Sequence, residues 1–202
     1  MKMTFRGDFN GDPETLPNAP HEPGAIKFKE VDDPKKLGVF LNVLAVLIVI
    51  PLYIFYRSYG DPNPEWWETL VGVVAALALM VPHEFLHALC LPGETFMYTW
   101  KAGGMFFVFS PERISKARFI FMSLLPNLCF GIIPFIIFLF THQIWLGTIS
   151  IIGIAAGAGD YYNVFNCITQ VPNGHKVYNY GINTYRYDPK AETIKAGAEI
   201  GL

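Results

Sequence analysis

Four apolar runs constrain this chain more than any other feature: 38–56, 69–91, 119–140 and 144–168. Each approaches the roughly 20 residues that a helix rising about 1.5 Å per residue needs to cross some 30 Å of hydrocarbon, whereas a buried helix of a soluble core needs only about 10–14. The composition agrees, with 52% hydrophobic and only 16% charged residues, against about 25% charged in ordinary soluble domains. The expected fold class is therefore all-α and integral to a membrane, with about four transmembrane helices. Only Thr141, His142 and Gln143 separate the last two runs, which predicts a tight helical hairpin.

Basic residues stay on the cytoplasmic side of a bilayer. With the N-terminus inside, only Arg57 of the 15 Lys and Arg residues falls outside. Trp66, Trp67 and Trp145 then all reach the outer interface, where amphipathic rings prefer to sit. Both termini are expected to be cytoplasmic and the protein to reside in the cell membrane, with the lipid bilayer as a partner.

The segments outside the runs are less informative. Residues 1–37 are polar and rich in Pro, Gly and acidic groups, which predicts a disordered N-tail with no apolar core of a signal peptide; the first run would itself serve as the targeting signal. Residues 38–168 form the expected membrane domain, and 169–202 a polar, aromatic C-tail. Between the second and third runs, 96–109 reads as two aromatic stretches around Lys101-Ala-Gly-Gly104, which fits either a small β-hairpin or an irregular interfacial loop. The formal net charge of −2 argues against nucleic acid as a partner. Three cysteines without a CxxC pair argue against a disulfide framework.

His83-Glu84-Phe85-Leu86-His87 is the segment that carries chemistry. Residues four apart share a helix face, so two imidazoles can hold one metal ion with Glu84 beside them to take a proton from water. From this composition, a chance HExxH is expected roughly 0.006 times per chain. Ionisable groups inside an apolar run are costly toward lipid and are expected to face inward. The plainer alternative is that these side chains only hydrogen-bond one another between helices.

Catalytic zinc takes three protein ligands and keeps a fourth position open. Cys90 lies about 10 Å along the axis from His83, too far to share one tetrahedron, and His142 belongs to the opposite hairpin. Asp160 remains as a candidate within a span, its alternative being a buried polar partner without metal. Counting inward along their helices, His83 and Asp160 differ in depth by only about 3 Å. Gly153, Gly157 and Gly159 would let the fourth helix approach closely. Pro82 should bend or loosen the helix before His83. Asn127 and Asn163 are amides within spans that could orient a ligand, hold a substrate backbone or simply bridge helices.

HEFLH at 83–87 together with Asp160 in a later span resembles the site-2 protease class of intramembrane zinc metalloproteases, and more closely a compact bacterial family of zincin peptidases, over roughly residues 68–168. The resemblance implies that His83, His87 and Asp160 ligate Zn2+, that Glu84 is the catalytic base, and that the substrate is a membrane protein or peptide cleaved in or near the bilayer. It also implies a β-hairpin near the metal, at the position of 96–109. The rival expectation is a membrane protein that keeps the zinc site for stability or sensing without proteolysis.

Overall fold

The computed structural model of the protein describes residues 2–60, 65–101 and 105–190. Most of the Lys-Ala-Gly-Gly turn and residues 191–202 of the C-tail lie outside the described residues. Among the described residues, three helical stretches are long and apolar enough to cross a membrane: Lys35–Tyr59, Trp66–Leu89 and Lys116–Thr141. A fourth stretch qualifies only as a pair, Ile144–Ala156 and Ala158–Gln170, bent by 45°. The last run is thus a broken rod.

Helices are accompanied by more strand than the single hairpin expected. One sheet has the order β1 (Lys2–Asp8), β3 (Glu94–Trp100), β4 (Met105–Phe109), and another the order β2 (Ile26–Lys27), β7 (Asn183–Tyr187), β6 (Lys176–Tyr180), β5 (Ile114–Ser115). An all-α description is therefore too narrow. Strands β3 and β4 pair antiparallel with Phe96 opposite Phe109 and Trp100 opposite Met105, so the hairpin alternative for 96–109 is the one observed.

The chain divides into two compact units. The first comprises Met1–Asp32, Ala88–Phe121 and Asn163–Leu202, and it holds both sheets. Here the N-tail departs from the disorder its composition suggested: β1 pairs in parallel with β3, and Phe9 and Leu16 are buried against Phe96, Tyr98 and Phe109. A few apolar anchors suffice because the strands opposite supply both a ladder for the backbone and an aromatic surface for the side chains. Farther along, Arg113 pairs with Glu22, donates to the Pro20 carbonyl at 2.7 Å, and lies over the Tyr178 ring at 5.2 Å.

The second unit, Asp33–His87 and Met122–Tyr162, is helical. Helix α1 (Pro34–Tyr59) begins before the apolar run does, because Asp33 accepts hydrogen bonds from the Lys35 and Lys36 amides, each at 2.9 Å, and Pro34 occupies the first turn. Helix α2 (Trp66–Ala78) opens on a reciprocal cap between Glu65 and Glu68. It stops at Leu79, and α3 (Met80–Leu89) follows. The break lies one turn before Pro82, which has no N–H for the Ala78 carbonyl and whose ring crowds it.

Helix α4 (Lys116–Asn127) passes through a π turn, Leu128–Ile132, into α5 (Ile133–Thr141), and α6 (Ile144–Ala156) is followed by α7 (Ala158–Gln170). Tyr56, Phe138, Ile144 and Ile151 form the core of this unit. Close approach depends on missing side chains: a Cβ on Gly72 of α2 would lie 2.5 Å from Thr148 Cβ in α6, and one on Gly153 would lie 2.3 Å from the Phe130 carbonyl oxygen. Gly159 does not share this role, since its Cβ would meet only Leu41 at an ordinary 3.7 Å. Gly72→Leu should therefore force α2 from α6 at a cost of about 1–3 kcal/mol. A lowered thermal midpoint of the detergent-solubilised protein would register this, while Gly38→Ala, within α1 and facing open space, should leave the midpoint level or raise it.

Candidate metal centre

All four residues singled out for chemistry fall in the helical unit. His83 and His87 stand one turn apart on α3, their rings 4.9 Å between centroids and inclined at 76°. Glu84 lies beside them, and His83, Glu84 and His87 each offer a donor atom, the three lying within 4.8 Å of one another. Asp160 arrives from the first turn of α7, just past the bend at Gly157.

The structure brings this aspartate onto both imidazoles. Oδ2 of Asp160 is 3.3 Å from His83 Nε2 and Oδ1 is 3.3 Å from His87 Nε2, with each of the three side chains only 12–13% exposed. Zinc bonds to nitrogen and oxygen of about 2.0–2.2 Å in a tetrahedral arrangement place neighbouring ligand atoms roughly 3.4 Å apart. The observed separations match that edge.

Hydrogen bonding supports the same reading. His87 Nδ1 is 3.0 Å from the Met122 carbonyl oxygen, a group that can only accept, so Nδ1 carries the proton. With Nδ1 serving the Met122 carbonyl, Nε2 is the atom left facing a carboxylate oxygen, a contact that becomes favourable when a second ring proton or a bound cation lies between them. Asn127 donates from Nδ2 to Asp160 Oδ2 at 2.8 Å and to the Ser123 carbonyl at 3.0 Å. The donor set of two imidazoles and a carboxylate, largely shielded from solvent, fits zinc or a similar divalent ion.

Sequence reasoning had weighed Asn127 as an amide that could orient a ligand, and it is the amide that reaches Asp160. It did not find Met122, because a backbone carbonyl leaves no mark in residue type. A signal was nevertheless present in Pro126, four residues farther on, which cannot use that carbonyl. Cys90, Cys129 and Cys167 are free.

Residues 76–176, half of the chain, match the family model described as "Putative zincin peptidase". The matched stretch contains HEFLH, Asn127 and Asp160. No curated protein and no solved structure matches the chain.

Removing Asp160 tests the geometry. Asp160→Ala should lower zinc affinity by roughly 100-fold or more, beyond the 10–100-fold typical of losing a group that merely supports a ligand. Metal analysis of the purified variant against wild type measures this, and full occupancy in Asp160→Ala would remove it from the ligand set.

Proposed function

The chain belongs to the zincin peptidase family, and from that premise we propose that it is an intramembrane zinc metallopeptidase, related to the site-2 proteases, that hydrolyses peptide bonds in membrane-embedded or membrane-proximal substrates. The observation that carries the reading is the Asp160 carboxylate, on a helix remote in sequence, set against both histidines of HEFLH. What supports the membrane setting is the length and apolarity of the helices that bear these residues, together with ionisable groups that would be costly facing lipid. The distribution of Lys and Arg supports a cytoplasmic location for both termini.

In this reading His83, His87 and Asp160 hold the zinc ion. Bound there, zinc supplies Lewis acidity, lowering the pKa of water toward about 7 and polarising a carbonyl. Glu84 accepts the proton from the attacking water and returns it to the departing amine nitrogen. Helix α3 carries both rings and the Met122 carbonyl fixes that of His87, so little reorganisation is needed when substrate arrives.

A helical substrate must unwind first, because its carbonyls are tied into the helix ladder. The breaks at Leu79, at the π turn and at Gly157 loosen the enzyme's own helices beside the site, and we assign to them the room for an extended strand.

Glu84→Gln should retain zinc and slow cleavage by about 10²–10⁴-fold, the usual contribution of a general base. Comparative proteomics of membrane-protein fragments in cells carrying wild type or Glu84→Gln reads this out. Identical fragments in both would dismiss Glu84 as the base; zinc bound without any wild-type-dependent fragment would favour a non-catalytic metal protein.

A further inference from the structure

Two adjacent residues of α4 reach the metal centre by different routes. In an α-helix the carbonyl of residue 122 is the partner of the N–H of residue 126. Residue 126 is a proline, which has no N–H, so the Met122 carbonyl is released from the helix ladder. A released carbonyl in a partly buried place is left to find another donor. It finds His87 Nδ1 at 3.0 Å.

The next residue, Asn127, is wholly buried at 0% exposure. Its Nδ2 bonds to Asp160 and to the Ser123 carbonyl, which uses both amide hydrogens. Turning the amide over would set Oδ1 against two acceptors, so the orientation is fixed. Oδ1 itself has no hydrogen-bond partner among the described residues. It lies 1.6 Å from where a Cβ on Gly157 would stand, so the missing side chain at 157 is what leaves room for the amide.

We infer that Pro126 and Asn127 are a positioning pair, Pro126 by freeing the carbonyl that sets the His87 ring and Asn127 by holding the Asp160 carboxylate, with Gly157 clearing the space for the amide. The inference rests on the reading of His83, His87 and Asp160 as zinc ligands. It assigns to Pro126 a role distinct from packing. The Pro126 ring is fully buried, so a purely structural account expects its removal to alter the metal-free midpoint, through lost packing set against gained helix propensity, and to leave the geometry of the metal ligands alone.

The test uses the purified full chain in detergent, with zinc affinity measured by chelator competition and thermal midpoint measured without metal. Pro126→Ala restores an N–H that draws the Met122 carbonyl back to the helix axis. Zinc affinity should fall about tenfold in a variant that still unfolds cooperatively without metal, and Asn127→Leu and Gly157→Ala should lose about 10–100-fold. The visible absorption of the cobalt-substituted protein should change in Pro126→Ala, reporting a displaced ligand.

Wild-type zinc affinity and an unchanged cobalt spectrum in Pro126→Ala would overturn the pairing even if Asn127→Leu fails to fold. Zinc binding that survives His83→Ala would instead overturn the functional reading, and this inference with it.

Discussion

A carboxylate shared between two imidazoles organises the helical unit of this protein. Desolvating an ionised carboxylate is expensive unless charge and hydrogen bonds replace the lost water. Asp160 receives a hydrogen bond from the Asn127 amide on Oδ2 and sets one oxygen against each ring nitrogen, where a shared cation would supply the opposing charge. Meeting all three requires α3, the end of α4 and the start of α7 to converge. The contact of Gly157 with Asn127 follows from the same requirement, and Gly72 against Thr148 and Gly153 against Phe130 let α2 and the π turn approach α6, since bulkier residues would hold these helices apart.

Convergence alone would still bury backbone groups out of reach of the site. Each helix that carries a site residue is irregular within about a turn of it: α2 gives way to α3 at Leu79 ahead of His83, the π turn begins at Leu128 beside Asn127, and the bend at Gly157 precedes Asp160. The local causes differ, with prolines at 82 and 126 that cannot donate and a glycine at 157 that lets an amide occupy the place of a side chain. In the π turn the Ile133 amide reaches five residues back to Leu128. Irregular backbone of this kind is tolerated in an apolar surrounding where it lines a site.

The sheet-bearing unit shows a different economy. Its strands are short, and its N-terminal segment is held by sparse contacts that composition cannot register: Phe9 and Leu16 in an aromatic cluster, the Arg113–Glu22 pair, and the Gly181 amide on Asn18 Oδ1 at 2.6 Å. A polar segment folds here because its partners are already presented by strands far away in sequence. Nothing local in residues 2–28 announces those partners.

What the amino-acid order determined alone is whatever depends on near neighbours. The apolar lengths set the long helices, and the spacing of His83 and His87 set two rings on one face with Glu84 beside them, because helical periodicity is a local property. Asp160 was legible only as a candidate, by elimination and by depth. Its meeting with both rings, the bond from Asn127, the service of the Met122 carbonyl to His87 and the pairing of β1 with β3 were decided by tertiary structure. These are contacts between segments dozens of residues apart, several of them made by backbone atoms that every residue possesses. Periodicity and composition carry no record of which distant atom a group will face.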